Sequence, residues 1–113
     1  MPDSITNIGS YAFANTNLNE ITLPQNLKEF SPNAFAFCES LQNIYINDEN
    51  DKYVDIEGVV YTNDLKTIYS YPSGKVDDSY IVLDSVTNIG DYAFFSNFNL
   101  QSITLPSELI TIG

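Results

Sequence analysis

Ile8-Gly9-Ser10-Tyr11-Ala12-Phe13, followed by Leu18-Asn19-Glu20-Ile21-Thr22-Leu23-Pro24, returns later in the chain. There it reads Ile89-Gly90-Asp91-Tyr92-Ala93-Phe94, then Leu100-Gln101-Ser102-Ile103-Thr104-Leu105-Pro106. Self-similarity at a fixed spacing marks a repeat architecture and takes precedence over any local reading. Aligned on the Ala-Phe pair, the copies run over 2–23, 24–46 and 83–105, with a partial copy over 106–113. The chain thus reads as a single domain, 1–113, and as an excerpt from a longer array.

Copy lengths of 22, 23 and 23 residues fit the period of a leucine-rich repeat, not that of a helical pair or a propeller blade. Asn19 to Leu23, Gln42 to Ile46 and Gln101 to Leu105 alternate polar and aliphatic side chains, the mark of a half-buried strand. Pro24 and Pro106 then stop the strand, because proline cannot donate to a ladder. In the second copy Ser31-Pro32 reads as a helix cap with proline at the first helical position. The expected architecture is a repeat solenoid, an α/β leucine-rich repeat. Short parallel strands would lie on one face and single helical turns or short helices on the other. The expected core is a set of ladders: Ile5, Leu27, Val86 and Leu109; Ile8, Phe30, Ile89 and Ile112; Phe13, Phe35 and Phe94; Leu18, Leu41 and Leu100; Ile21, Ile44 and Ile103.

Residues 47–82 break the period. Gly58 to Thr62, the turn-like Asn63-Asp64, and Thr67 to Tyr71 predict a β-hairpin insert. Its second arm, Tyr69-Ser70-Tyr71-Pro72, has the pattern of Ile21-Thr22-Leu23-Pro24 and is expected in the same row of strands, with the first arm projecting outward.

Fifteen acidic against four basic residues give a net charge of -11, which disfavours nucleic acid and anionic membrane surfaces as partners. Histidine is absent and Cys38 is the one cysteine, which removes disulfides within the chain, Cys/His zinc sites and histidine-based nucleophile or base arrangements. No apolar run is long enough to span a bilayer, so this segment is not expected to insert in a membrane. Paired carboxylates could serve a glycosidase, but the acids fall in loops and along strand rims. No catalytic residue, cofactor or metal site is assigned.

These residues resemble the BspA-like, Treponema-type leucine-rich repeat proteins. The resemblance rests on the Ile-Gly-x-Tyr-Ala-Phe core, Ala-Phe-x-x-Cys at Ala34 to Cys38, the Ile-x-Leu-Pro strand ends, and the insert's Gly-Val-Val-Tyr and Tyr-Pro-Ser-Gly-Lys. It implies a cell-surface or secreted interaction protein, often adhesive. Such a protein is non-catalytic and binds a host or matrix protein, or a glycan. A structural spacer in a larger surface protein is the alternative.

The residues alternating with the core positions should line one concave face. The candidate binding surface is Glu20, Thr22, Asn43, Tyr45, Ser70, Ile81, Ser102 and Thr104, with Ile68 and Ser79 in the same expected rows. Tyr53, Tyr61, Tyr69, Tyr71 and Tyr80 cluster in and beside the insert, where they either pack the hairpin or form a stacking patch. Asn47 to Asp51, with Asp55 and Glu57, carries oxygens of the kind calcium takes, without the glycine and spacing of an EF-hand, and reads first as a solvated loop. Cys38, in the slot of Thr16 and Asn97, reads as a small buried filler. Neither end carries a polar capping copy, so exposed apolar ends and end-to-end self-association are expected.

Overall fold

A computed structural model describes residues 2–112, with the side chains of Thr111 and Ile112 outside the description. Each full copy contributes two strands rather than one. The longer strands are β2 (Glu20–Leu23), β4 (Asn43–Ile46), β8 (Ser79–Ile81) and β10 (Ser102–Thr104). The two-residue strands are β1 (Asn7–Ile8), β3 (Glu29–Phe30), β9 (Asn88–Ile89) and β11 (Thr111–Ile112). The insert, to which β8 also belongs, holds β5 (Tyr53–Ile56), β6 (Val59–Thr62) and β7 (Thr67–Ser70).

Successive copies pair in parallel and in the register the alignment predicts. Ile21 lies beside Ile44, and Ile8 beside Phe30. Tyr80 lies beside Ile103.

The expected helical turns are absent: no helix occurs among the described residues. The backbone explains why. Within the first turn Ala12 N–H donates to Gly9 O (3.2 Å) and Ala14 N–H to Tyr11 O (3.1 Å). The amides in between face the next copy, Phe13 N–H to Ala34 O (2.9 Å) and Asn15 N–H to Ala36 O (3.1 Å). A helix needs every amide pointing along its own axis. Here alternate amides are shared with the neighbouring copy, and Tyr11 and Asn15, at φ of 58° and 61°, break the right-handed path.

The ladders form the core largely as the alternation predicts. Leu23, Leu27, Leu41, Ile44, Val86 and Cys38 are buried, as are Phe30 and Phe35. Ile103 is an exception at 39% exposed, since β10 pairs with β8 on one side alone among the described residues. The expected ladder position at Ile112 lies outside the described side chains.

The insert departs most from expectation. It forms three antiparallel strands, and β7 joins the row of two-residue strands: Ile68 pairs with Ile89, in the five-stranded order β11-β9-β7-β6-β5. Tyr71 N–H donates to Ala93 O (2.7 Å), as Phe13 N–H does to Ala34 O, so Tyr71 fills the phenylalanine slot. The Ile21-type slot goes to Tyr80 in β8. Nor does the first arm project outward. Val59, Val60 and Tyr61 of β6 are all fully buried. Val60 enters one apolar cluster with Leu23, Phe30 and Leu41, while Val59 and Tyr61 enter a second with Ile68, Val82 and Val86. β6 is the wall between two half-cores.

Candidate interaction surface

Strand alternation sends Ile21 and Leu23 inward and leaves Glu20 and Thr22 exposed on β2. The β2–β4 register sets Glu20 beside Asn43 and Thr22 beside Tyr45, both of the β4 residues half-buried. On the other strand pair Ser79 lies beside Ser102 and Ile81 beside Thr104. Ser102 and Thr104 are exposed, and Ile81 is 71% exposed, unusual for an aliphatic side chain.

Between the two pairs the row is interrupted by the turn joining β5 to β6. Ile44 N–H donates to Gly58 O (2.9 Å), so the turn occupies the edge of β4 that another strand would take. Glu57 at the turn tip is exposed, with φ 53°, and Gly58 has φ +81°. A Cβ on Gly58 would lie 2.9 Å from Asn43 Cα, so this close approach requires glycine. Lys75 braces the turn, its Nζ donating to Glu57 O (3.4 Å) and lying 3.8 Å from the Asp77 carboxylate.

Seven of the eight predicted surface residues therefore lie on the long strands. Ser70 does not: it sits on β7, in the other row, and is buried at 4% exposure. Because β7 belongs to the short-strand row, alternation counted from the long strands points its side chains the wrong way, and Ile68 is buried for the same reason. Glu57, expected in a solvated acidic loop, takes the interrupted position instead.

The insert's tyrosines pack. Phe30 meets Tyr53 and Tyr69 with ring centroids 5.0 and 4.9 Å apart, and Tyr71 meets Tyr80 and Phe94, each at 5.1 Å. Tyr69 hydroxyl donates to Phe30 O, and the Tyr61 and Tyr80 hydroxyls bond to each other. Burial pushes the phenols of Tyr61, Tyr69 and Tyr80 upward, since the anion would lose its hydration. Tyr71 is pushed up to about 12 by burial, with repulsion from Asp77 added.

The oxygen-rich loop is turned onto backbone. Asn50 Oδ1 accepts from Lys52 and Tyr53 N–H (2.8 and 3.0 Å), while its Nδ2 donates to Pro24 O and Leu27 O (both 3.0 Å). Asp55 Oδ1 accepts from Ile46 N–H (2.7 Å). No metal-binding cluster of three or more acidic or thiol groups occurs among the described residues. Asn97 does the same work in its copy, donating to Pro72 O and Lys75 O (2.8 and 3.1 Å). In the equivalent slot Cys38 is fully buried, with Sγ donating to Phe13 O (3.1 Å).

Sequence reasoning missed a second exposed cluster. Phe37 and Tyr92, 40% and 57% exposed, both contact Phe95, at centroid distances of 5.6 and 5.4 Å. The signal was in the alignment: Phe37 stands where the other copies have Asn15 and Ser96, and Phe95 where they have Ala14 and Ala36.

Stacked copies of strand and turn at this period define a leucine-rich repeat protein. The family model described as a BspA type leucine rich repeat region (6 copies) matches residues 1–76 and 66–113, and the chain belongs to that family. The fold is similar to a leucine-rich repeat protein from Eubacterium ventriosum (27% identity, TM-score 0.91, 100% of this chain against 30% of that one). It is also similar to the pneumococcal vaccine antigen PcpA (31%, TM-score 0.85, 96% against 27%). A third similar structure is a leucine rich cell surface protein from Faecalibacterium prausnitzii (30%, TM-score 0.81, 99% against 30%). This chain spans under a third of the length of each. No curated protein matches it. Membership places it in a repeat family generally associated with protein interaction or surface roles and typically non-enzymatic. No helix among the described residues is long and apolar enough to cross a membrane.

Proposed function

We propose that the copies stack as a solenoid and act as a non-catalytic interaction module at a cell surface, binding a protein ligand. The surface is the interrupted row, Thr22 and Tyr45 on one side and Ile81 and Thr104 on the other, with Glu57 between them. The observation that carries this reading is the hairpin turn seated in the row, which sets exposed Glu57 between these two uncharged pairs. A half-buried tyrosine and an exposed isoleucine supply the apolar anchors that dominate interface energies, and the acid supplies orientation. The described roles of two similar structures, a cell surface protein and a vaccine antigen, support the location.

The test is a binding screen against extracellular-matrix and host receptor proteins, with Tyr45→Ala and Ile81→Ser compared with the parent. The expected result is a ligand whose affinity falls about tenfold or more in each variant, a change of roughly 1.4 kcal/mol. A ligand bound equally by all three would remove the row from consideration. Capture of a glycan alone would favour the carbohydrate reading.

End-to-end self-association is proposed as well. Pro2, Ile5, Phe13, Ile21 and Thr22 form an apolar recess of about 440 Å³ beside β2, and Ile103 and Leu105 are exposed on and beside β10. Sedimentation should show association rising with concentration; a monomer at high concentration would contradict it.

A further inference from the structure

The turn of the insert is shorter than those beside it. Ile68 and Tyr71 are three residues apart, whereas the equivalent Ile8 and Phe13 are five apart, as are Ile89 and Phe94. The turns on either side, 32–37 and 91–96, therefore overhang it and meet. Phe37 N–H donates to Ser96 Oγ (2.9 Å), which is bonded to Ser73 Oγ (2.7 Å). Below the overhang the void is only about 10 Å³, so nothing binds inside it. What remains is outside: three aromatic rings on the lip.

Phe37 and Tyr92 take the left-handed φ of 59° that the repeat imposes at these turn positions, as at Asn15, Ser96 and Tyr11, so what is particular here is the choice of large rings that keep a large exposed surface. The rings meet edge-to-face, with interplanar angles of 69° and 78°. The rings thus present faces at steep angles and not the flat platform on which a sugar ring stacks. Exposed Asp91 adjoins Tyr92, and exposed Glu39 lies two residues beyond Phe37. The four lysines are elsewhere. Lys28 and Lys52 line a recess with Gln25 and Glu49, Lys66 sits in the β6–β7 turn, and Lys75 bonds to Glu57.

We propose that Phe37, Tyr92 and Phe95, with the exposed acids Asp91 and Glu39 close to them in the chain, form a second docking site that takes an arginine side chain from a basic protein segment. Aromatic faces attract a guanidinium, which stacks on them and is weakly hydrated, and the acids add complementary charge. The patch shares no residue with the interrupted strand row, so either can fail alone.

The test is an NMR titration with a capped alternating glycine-arginine hexapeptide and the same peptide carrying citrulline, which keeps the planar group and loses the charge. The arginine peptide should shift the ring signals of Phe37, Tyr92 and Phe95, and the citrulline peptide should not. Phe37→Asn, the residue that Asn15 supplies in the first copy, should keep the fold and weaken binding about tenfold. Asp91→Asn should weaken it severalfold and gives a second test should the first variant misfold. Shifts confined to Glu20 and Glu57, equal binding of citrulline, or response of these rings to a neutral oligosaccharide alone would each overturn the proposal.

Discussion

The regular copies and the insert solve one problem in two ways. In the regular copies each turn hands alternate amides to the next, so backbone holds the stack and side chains need only fill it. Between the second copy and the insert the turn-to-turn pairing stops, although Ile44 N–H still reaches Gly58 O and Gly74 N–H reaches Leu41 O. β3 and β7 belong to different sheets, and Tyr69 bridges the gap by its bond to Phe30 O, while Tyr61 to Tyr80 ties β6 to β8. Where backbone reach ends, a phenol both fills volume and carries a hydrogen bond. The regular copies are thus tied by backbone geometry, and the junction between β3 and β7 by specific side chains whose chemistry can be attacked separately.

The largest effect should come from alkali. Burial favours the neutral forms of Tyr61, Tyr69, Tyr71 and Tyr80 in the folded state. Their unfolded forms ionise near 10.0, so this stability is complete below that pH. It is lost as pH rises toward the value of about 12 for Tyr71 and beyond. Tyrosinate absorbance for these four should therefore rise together with loss of near-ultraviolet circular dichroism. Gradual ionisation with tertiary structure intact would break the comparison.

Phe30→Ala removes the side chain on which both regions converge, since Phe30 touches Phe35, Tyr53 and Tyr69. It should cost about 4 kcal/mol in denaturant unfolding, against about 2 for Phe94→Ala, whose ring is only partly buried.

Gly58→Ala should cost about 2 kcal/mol, because φ is positive and Asn43 backbone blocks the new methyl. At Gly9, where an added methyl would meet nothing within 4 Å, alanine should change stability by less than about 0.5 kcal/mol. Similar costs at both would mean that the turn is not seated on β4.

The smallest effect has the opposite sign. Phe37→Asn relieves a left-handed phenylalanine and loses one ring contact, for a net gain of up to about 0.5 kcal/mol. A modest rise in melting temperature is expected, and a clear fall would show that the ring is needed for packing.

The parts of the fold legible in the sequence are those set by periodicity. The isoleucine and phenylalanine ladders and the β6–β7 hairpin follow from spacing and alternation. Row assignment was not legible, because Tyr69-Ser70-Tyr71-Pro72 alternates just as Ile21-Thr22-Leu23-Pro24 does. What decides it is the three-residue step from Ile68 to Tyr71, and that displaces Ser70 from the surface. β5 was hidden among acids, where Asp55 binds Ile46 N–H rather than solvent. The helix expectation rests on Ser31-Pro32, a start signal that does not reveal whether the following amides stay within the turn. Of the candidate surface, the long-strand residues follow from alternation, while Glu57 requires knowing where the hairpin turn docks.

The most direct test of the account is an alanine scan of binding to a protein ligand recovered from the screen. Losses of about tenfold or more are predicted to cluster at Thr22, Tyr45, Glu57, Ile81 and Thr104. Undiminished binding by a folded variant lacking both the Tyr45 and Ile81 side chains would contradict it.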